Sequence, residues 1–256
     1  MSKRVFDFGN GIVRKPAPSV VEGLRVGDQA PRYEAVLAEH RAYVAALEAA
    51  GLAVEQLDPL DDFPDSVFVE DPAFVLPEGA ILLRPGAPSR IGEAGEIAPV
   101  LRRRFEQVLA LDEGFADGGD MLILPDEILI GLSARTDRLG AMRVCALLRA
   151  LGRAARIVET PAGVLHLKTA CALVDERTLI ATPALVATFP DYDVLVTPEG
   201  EEKAANLIRV NARVLLAAAF PKTWALLAGR GLNVELVEAS EIAKIDAGLS
   251  CMSLRW

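Results

Sequence analysis

The chain has 256 residues, of which 52% are apolar, 25% charged and 5% aromatic. That apolar fraction excludes a disordered chain and provides for a large core. The net charge of −9 repels nucleic-acid backbones, and no apolar run reaches the roughly 20 residues that span a bilayer, so we expect neither nucleic acid nor membrane as a partner. The N-terminal residues do not resemble a secretory signal, and the three cysteines are therefore expected to be reduced thiols in the cytoplasm.

A recurring pattern of two β-rich runs around a short polar turn organises the chain. Helix-like segments and short single strands separate these predicted hairpins. In chain order the predicted elements are the strand Arg4–Arg14, helix Pro31–Ala50, strand Ala53–Leu57, hairpin Val67–Arg84, helix Ile97–Leu111, hairpin Asp120–Leu132, helix Asp137–Leu151 capped by Thr136, strand Ala155–Glu159, hairpin His166–Ala181, hairpin Asn206–Ala218, helix Thr223–Ala228, strand Asn233–Val237 and strand Ser250–Trp256.

The repeating unit is strand, strand, helix, strand, and it occurs about four and a half times. The segments Ser250–Trp256 and Arg4–Arg14 complete a fifth unit if the two termini pair, which removes exposed sheet edges. We therefore predict an α/β fold, a five-bladed α/β propeller of ββαβ repeats with pseudo-five-fold symmetry, closed by the termini, with residues 1–256 as a single catalytic domain. An open α/β sandwich with coincidental hairpins is the alternative.

Polar residues recur at the start of the first strand of each unit, where a buried strand would avoid them. In a ring these positions face one central channel, and buried charge is costly unless it is paired or used. The residues are Asp65, Glu70 and Asp71 in the first unit, Asp117 and Asp120 in the second, His166 and Lys168 in the third, Asn206 in the fourth and Cys251 in the last.

Cys251 and His166 are the candidate nucleophile and proton-transfer group. The other histidine, His40, is surrounded by charged residues and is predicted to lie on the surface, whereas Cys145 and Cys171 are predicted to be small core residues.

The motifs predict no metal and no cofactor, because the sequence lacks zinc-ligand spacing, a phosphate-binding loop and a dinucleotide-binding turn. Carboxylates beside a thiol instead suit a planar cation such as a guanidinium, which donates paired hydrogen bonds to a carboxylate. A bound cation also favours thiolate over thiol. The residues thus predict covalent hydrolysis of a C–N bond in a cationic small molecule.

Several motifs, in order along nearly the whole chain, resemble the dimethylarginine dimethylaminohydrolase family. They are Phe63–Pro72 (FPDSVFVEDP), Arg84–Arg90 (RPGAPSR), Gly118–Asp120 (GGD), Leu132–Thr136 (LSART), Leu165–Thr169 (LHLKT) and Ser250–Arg255 (SCMSLR).

The resemblance implies the pentein, or guanidine-modifying, superfamily and hydrolysis of Nω-methylated arginines to citrulline and methylamine or dimethylamine. It further implies Cys251 as nucleophile, His166 as general acid/base and Asp117 as the acid that orients His166, a place where some bacterial members have Glu. The substrate-binding residues that it implies are Asp71 for the guanidinium, Asp65, Glu70 and Ile245 for the amino-acid end, Arg90 and Arg135 for the α-carboxylate, and Leu24 in a lid.

Neighbouring families and other classes of protein remain alternatives. Arginine deiminases carry Asp where this chain has Lys168, and amidinotransferases are longer and transfer to an amine instead of water. A catalytically idle arginine-binding protein and, more remotely, a cysteine protease are the other candidates. A homodimer is compatible with the sequence.

Overall fold

The computed structural model describes residues 4–256, and the strands among them form five three-stranded sheets. The strands are β1 Asn10–Arg14, β2 Ala53–Leu57, β3 Ala73–Leu76, β4 Gly79–Leu82, β5 Val108–Ala110, β6 Met121–Ile123, β7 Ile128–Leu132, β8 Ala155–Glu159, β9 Cys171–Leu173, β10 Thr178–Ala181, β11 Asp193–Val196, β12 Ile208–Val210, β13 Arg213–Ala217, β14 Asn233–Val237 and β15 Leu254–Arg255. The α-helices are α1 Tyr33–Ala49, α2 Glu93–Arg104, α3 Arg138–Ala150 and α4 Pro221–Gly229.

Every sheet has the same plan, and this confirms the predicted α/β repeat. The first strand pairs antiparallel with the second, and the second pairs parallel with the third. An α-helix connects the second and third strands in four of the sheets, because a parallel pair needs a crossover. Between β10 and β11 this place is taken by a 3-10 helix, Pro183–Thr188.

The two ends of the chain meet in one sheet, as the sequence predicts. Strand β15 pairs antiparallel with β1 through Gly11–Arg255 and Ile12–Leu254, and β2 completes that sheet. The first and last segments of the chain therefore pair with each other, and the backbone groups on the facing edges of β1 and β15 are satisfied.

Two local predictions are wrong, namely the N-cap of α3 and the length of the helix predicted from Ile97. Asp137, not Thr136, caps α3, because its carboxylate accepts a 2.6 Å hydrogen bond from the Gly140 amide. The predicted helix Ile97–Leu111 contains two elements, since α2 ends at Arg104 and β5 follows. Strand β5 pairs with β4 and so satisfies the backbone groups on that edge of β4, which a continued helix would leave unpaired.

His40 is also wrongly predicted, because it is buried in α1 with only 2% of its surface exposed. Burial lowers the pKa of its imidazole to about 4. Adjacent residues of a helix point in different directions, so the charge of Glu39 and Arg41 does not indicate whether His40 is exposed.

Five apolar clusters form the core of the described chain and fix the segments that carry polar residues. Phe68 and Leu249 belong to one cluster with Cys251, and Leu167 belongs to the next. Side chains adjacent to the candidate site are therefore anchored in dense packing. Among residues 4–256, no helix has the length and apolar character needed to traverse a membrane.

Candidate active site

One polar or nucleophilic residue stands just before the first strand of each sheet, as the repeat predicts. These residues are Asp71 before β3, Asp117 before β6, His166 before β9, Asn206 before β12 and Cys251 before β15. They lie in a turn, in a 3-10 helix or at the end of one instead of in strands, so the predicted strands beginning at Val67, His166 and Asn206 start too early. In turns the backbone amides are free to donate hydrogen bonds to buried carboxylates. In a strand the same amides would be paired with the neighbouring strand.

A cavity of about 170 Å³ gathers most of the predicted site residues around one space. Asp117 and Glu70 are absent from its wall and lie behind His166 and Cys251, respectively. The predicted residues that line the cavity are Leu24, Asp65, Asp71, Arg90, Arg135, His166, Ile245 and Cys251.

Asp117 holds the imidazole of His166. Its Oδ2 lies 3.0 Å from His166 Nε2, and its Oδ1 accepts a 2.7 Å hydrogen bond from the Gly86 amide. Burial alone would lower the pKa of His166, but the Asp117 hydrogen bond and the charges of Asp71 and Asp120 raise it to about 9. The imidazole is therefore a cation at neutral pH and can donate a proton. Asp is long enough for the orienting contact.

Gly119 gives the imidazole its place. A Cβ at this position would lie 2.7 Å from His166 Nδ1, so any side chain would collide with the ring. This is a steric requirement for glycine beside a functional group.

Only one of the two carboxylate oxygens of Asp71 has a hydrogen-bond partner among the described residues. Its Oδ2 accepts a hydrogen bond from Arg90, while its Oδ1 is buried without a hydrogen-bond partner among the described residues. Burial would raise the pKa of Asp71, but the charges of Arg90 and His166 hold it below its usual value. The wall of the cavity therefore carries an ionised carboxylate oxygen that lacks a donor, and a buried acceptor in this state needs one.

Glu93, which the sequence reasoning missed, fixes Arg90. Its carboxylate accepts hydrogen bonds from Arg90 Nε at 2.9 Å and Nη2 at 2.7 Å. The carbonyls of Asp65 and Phe68 also accept from Nη2, so contacts within residues 4–256 leave one of the five guanidinium hydrogens, on Nη1, unassigned. Burial raises the pKa of Glu93 to about 7 against the opposing charge of Arg90. A glutamate three residues after an arginine was the available sequence signal.

Arg135 differs from Arg90 because its guanidinium makes no ion pair or hydrogen bond with any residue in the described range. It is half-buried and lines the same cavity. Arg135 thus offers its full fork of donors to a carboxylate, whereas Arg90 can offer one.

The Cys251 thiol is buried, and its pKa is raised to about 12 by burial and by the charges of Asp71 and Glu70. Asn206 Nδ2 and Ser250 Oγ each lie 3.9 Å from Sγ. Without an added cation in the cavity, the sulfur is therefore held as a thiol.

Two carboxylates secure the segment from Leu24 to Val26 over the cavity. Asp65 Oδ1 accepts a 3.0 Å hydrogen bond from the Leu24 amide, and Asp246 Oδ2 accepts a 2.6 Å hydrogen bond from the Val26 amide. Val26 itself is 94% exposed, so these backbone contacts, and not burial of its side chain, hold the segment down.

Asp120 supports the wall from behind. Its Oδ2 accepts 2.6 Å hydrogen bonds from Ser133 and Thr136, and its Oδ1 accepts from the Leu167 amide at 2.8 Å. The sequence pattern singled out Asp120 without a role, and these contacts assign it to joining the second and third repeats.

A metal ion is the other use for clustered acids. Oxygens of Asp71 and Asp117 and a ring nitrogen of His166 lie within 4.8 Å of one another. The Asp117–His166 hydrogen bond already joins two of these groups, and Arg90 joins the third. The two carboxylates are therefore arranged to accept hydrogen bonds from cations, namely the imidazolium of His166 and the guanidinium of Arg90.

Comparisons with known proteins agree with this geometry. The sequence model of the arginine deiminase family matches residues 53–222. The chain is 39% identical to N(G),N(G)-dimethylarginine dimethylaminohydrolase from Pseudomonas aeruginosa over 97% of this chain and 100% of the relative. A solved structure of that enzyme, a cysteine-to-serine mutant complexed with citrulline, superposes with a TM-score of 0.95 at 39% identity and covers 98% of this chain and 100% of that one. A dimethylarginine dimethylaminohydrolase adduct with S-methyl-L-thiocitrulline, formed by a histidine-to-glycine mutant, gives a TM-score of 0.94 at 39% identity, with 97% and 100% covered.

The five repeats and the cavity that unites a cysteine, an imidazole and carboxylates define an enzyme of the guanidine-modifying class. The chain belongs to the dimethylarginine dimethylaminohydrolase family.

Proposed function

We propose that this chain hydrolyses Nω-methylated L-arginines to L-citrulline and methylamine or dimethylamine, with Cys251 as the nucleophile. The observation that carries the assignment is the unpartnered Oδ1 of Asp71, a buried anion facing a cavity that also holds Cys251 and His166. A guanidinium N–H supplies the missing donor and brings its central carbon toward the sulfur.

The bound cation also activates the thiol. Asp71 and Glu70 both disfavour the thiolate, and a guanidinium on Asp71 compensates for that negative charge. The thiol then loses its proton to water, and Sγ attacks the guanidinium carbon to form a tetrahedral adduct.

His166 acts as the acid in the next step. Its imidazolium donates a proton to the methylated nitrogen, the C–N bond breaks, and the neutral amine leaves a thiouronium on Cys251. The neutral imidazole then takes a proton from water as the hydroxyl adds to the thiouronium carbon. In the collapse of this second adduct the C–S bond breaks and the C=O of the ureido group forms, the leaving sulfur takes up the hydroxyl proton to restore the thiol, and citrulline is released.

The amino-acid end of the substrate is assigned to the other half of the cavity. Arg135 supplies a paired contact for the α-carboxylate, and the one unassigned donor of Arg90 adds a single hydrogen bond. Asp65, Ile245 and the lid residue Leu24 surround the remaining chain. Glu70 contributes from behind Cys251, since its carboxylate bonds Ser250 and Lys168.

A substrate panel tests the proposal. Arginine, monomethylarginine, dimethylarginine and agmatine are each incubated with the enzyme and assayed for ureido product. We expect product from the methylated arginines, none from Cys251→Ser, and little from agmatine, because it lacks the carboxylate that Arg135 binds. Turnover of arginine in preference to methylarginines would instead favour a deiminase. Binding without turnover would favour the idle binding protein.

We also propose that residues 1–256 act as one catalytic domain in the cytoplasm. The three cysteines are free thiols, as a reducing compartment favours. A homodimer stays a prediction, and sedimentation equilibrium of the purified chain distinguishes it from a monomer.

A further inference from the structure

The direction of the hydrogen bonds behind Cys251 has a chemical consequence. Ser250 Oγ lies 3.1 Å from Glu70 Oε2 and 3.9 Å from Cys251 Sγ. A serine hydroxyl has one hydrogen, and an ionised carboxylate can only accept. Ser250 therefore donates to Glu70 and presents a lone pair to the sulfur.

Glu70 is held in that acceptor role by cations on its other oxygen. Lys168 Nζ lies 2.5 Å from Glu70 Oε1, and Arg255 Nη2 lies 3.5 Å from it. These groups line a second cavity of about 110 Å³, which also reaches Ser250 and lies outside the site that holds His166. Lys168 and Arg255 contact Oε1 and leave Oε2 as the acceptor for Ser250, so Ser250 cannot turn its hydrogen toward Sγ without losing the bond to the carboxylate.

We propose that Ser250 and Glu70 form a hydrogen-bond lock that holds Cys251 in its thiol form until substrate binds. A hydrogen bond accepted from the S–H group stabilises the neutral form over the thiolate. The hydrogen bonds of the lock do not depend on the proposed function. Its advantage does, because a thiol that serves as nucleophile is protected from oxidation between turnovers.

Other groups also act on the sulfur and must be separated from the lock. Asn206 Nδ2 opposes it, since an amide N–H donates and favours the thiolate. The charged and titratable groups around Cys251 are Asp71, Glu70, Lys168, Tyr43 and, across the cavity, His166.

Glu70→Gln reverses the lock. Lys168 and Arg255 are donors, so the glutamine carbonyl turns toward them and its NH₂ turns toward Ser250. Ser250 then accepts from Gln and donates its own hydrogen to Sγ, which favours the thiolate. The same substitution also removes a negative charge, and that charge effect does not need the serine.

A double-mutant cycle separates the two effects. The rate of Cys251 alkylation by iodoacetamide is measured at pH 8 by peptide mass mapping, which resolves Cys145 and Cys171. The four proteins are the natural chain, Glu70→Gln, Ser250→Ala and the double variant. We expect the acceleration by Glu70→Gln to be about two- to fourfold larger when Ser250 is present, from the worth of one hydrogen bond reduced by the lower nucleophilicity of a less basic thiolate.

Equal acceleration in both backgrounds would overturn the lock, because it would leave only the charge of Glu70. Ser66→Ala is the control, since Ser66 is also buried and its hydroxyl has no partner among the described residues. It should leave the alkylation rate unchanged.

A measurement on the natural chain keeps the test independent of folding in the variants. The infrared S–H stretch of Cys251, isolated by subtracting the Cys251→Ser spectrum, should be lowered relative to a free thiol because the group donates to Ser250. A free-thiol frequency would also refute the lock. Neither readout needs turnover, so failure of the lock is distinct from absence of ureido product, which would refute the proposed function.

Discussion

Replacing Asp71 with Asn should affect catalysis and the resting thiol in opposite directions. Asp71 Oδ1 is a buried acceptor without a hydrogen-bond partner in the described part of the chain, and Asp71 is also one of the charges that keep Cys251 protonated. Asn retains the shape and one acceptor oxygen but has no charge. Arg90 keeps its contacts with Glu93, so the fold should tolerate the change.

The expected magnitude follows from the contact that is lost. Removing one charge from a buried pair costs about 2–5 kcal/mol, and the remaining oxygen of Asn places the loss near the lower end. We therefore expect kcat/KM for dimethylarginine to fall about 30- to 150-fold, since each 1.36 kcal/mol is tenfold. The pKa of Cys251, raised first by burial and then by Asp71 and Glu70, should fall in the unliganded protein, so alkylation should accelerate.

The assay pairs citrulline production with Cys251 alkylation in the same preparations. Asp62→Asn removes a charge from an exposed position on the same loop and should change neither rate. If kcat/KM and the alkylation rate of Asp71→Asn fell together, Asp71 would not be the anion that couples guanidinium binding to the thiol.

Three further outcomes follow from the site and the core. The profile of kcat/KM against pH should fall above about pH 9 as His166 loses the proton that it donates, and Asp117→Asn should move this limb to lower pH; an unmoved limb would mean that another group is the acid. His40 should account for about 3 kcal/mol of the unfolding free energy lost between pH 6.5 and 4, because it stays neutral when folded and binds a proton when unfolded; the natural chain should therefore lose that much more than His40→Phe in urea titrations, and an equal acid loss in the two chains would contradict this. Asp246→Gly keeps the left-handed backbone at φ 53 but removes the acceptor for Val26, so KM should rise about two- to tenfold, whereas Asp246→Asn should raise it less; equal KM values would show that the contact does not hold the lid.

The repeat carried most of what the sequence could predict. Because polar residues interrupt equivalent positions, the pattern alone predicts that Asp71, Asp117, His166 and Cys251 lie near one channel. The partnership of the terminal strands followed from the same count of repeats, and Gly11–Arg255 pairing confirms it.

What the sequence could not predict depends on distances between repeats. The 3-10 helix after His166 and the turns around Asp71 arise because buried acids and carbonyls need specific donors, which no local propensity records. The use of Arg90 is the clearest case. Only its position beside Glu93 and Asp71 shows that a single Arg90 donor is unassigned among the described residues, and this is why we propose Arg135 for the paired contact with the α-carboxylate.

The chemistry of Cys251 is tested most directly by locating the covalent intermediate. The enzyme is mixed with dimethylarginine, quenched in acid within the first turnovers and digested for peptide mass mapping. We predict a thiouronium adduct on the Cys251 peptide, with dimethylamine released ahead of citrulline. An adduct on Cys145 or Cys171, or citrulline formation by Cys251→Ser, would contradict the account.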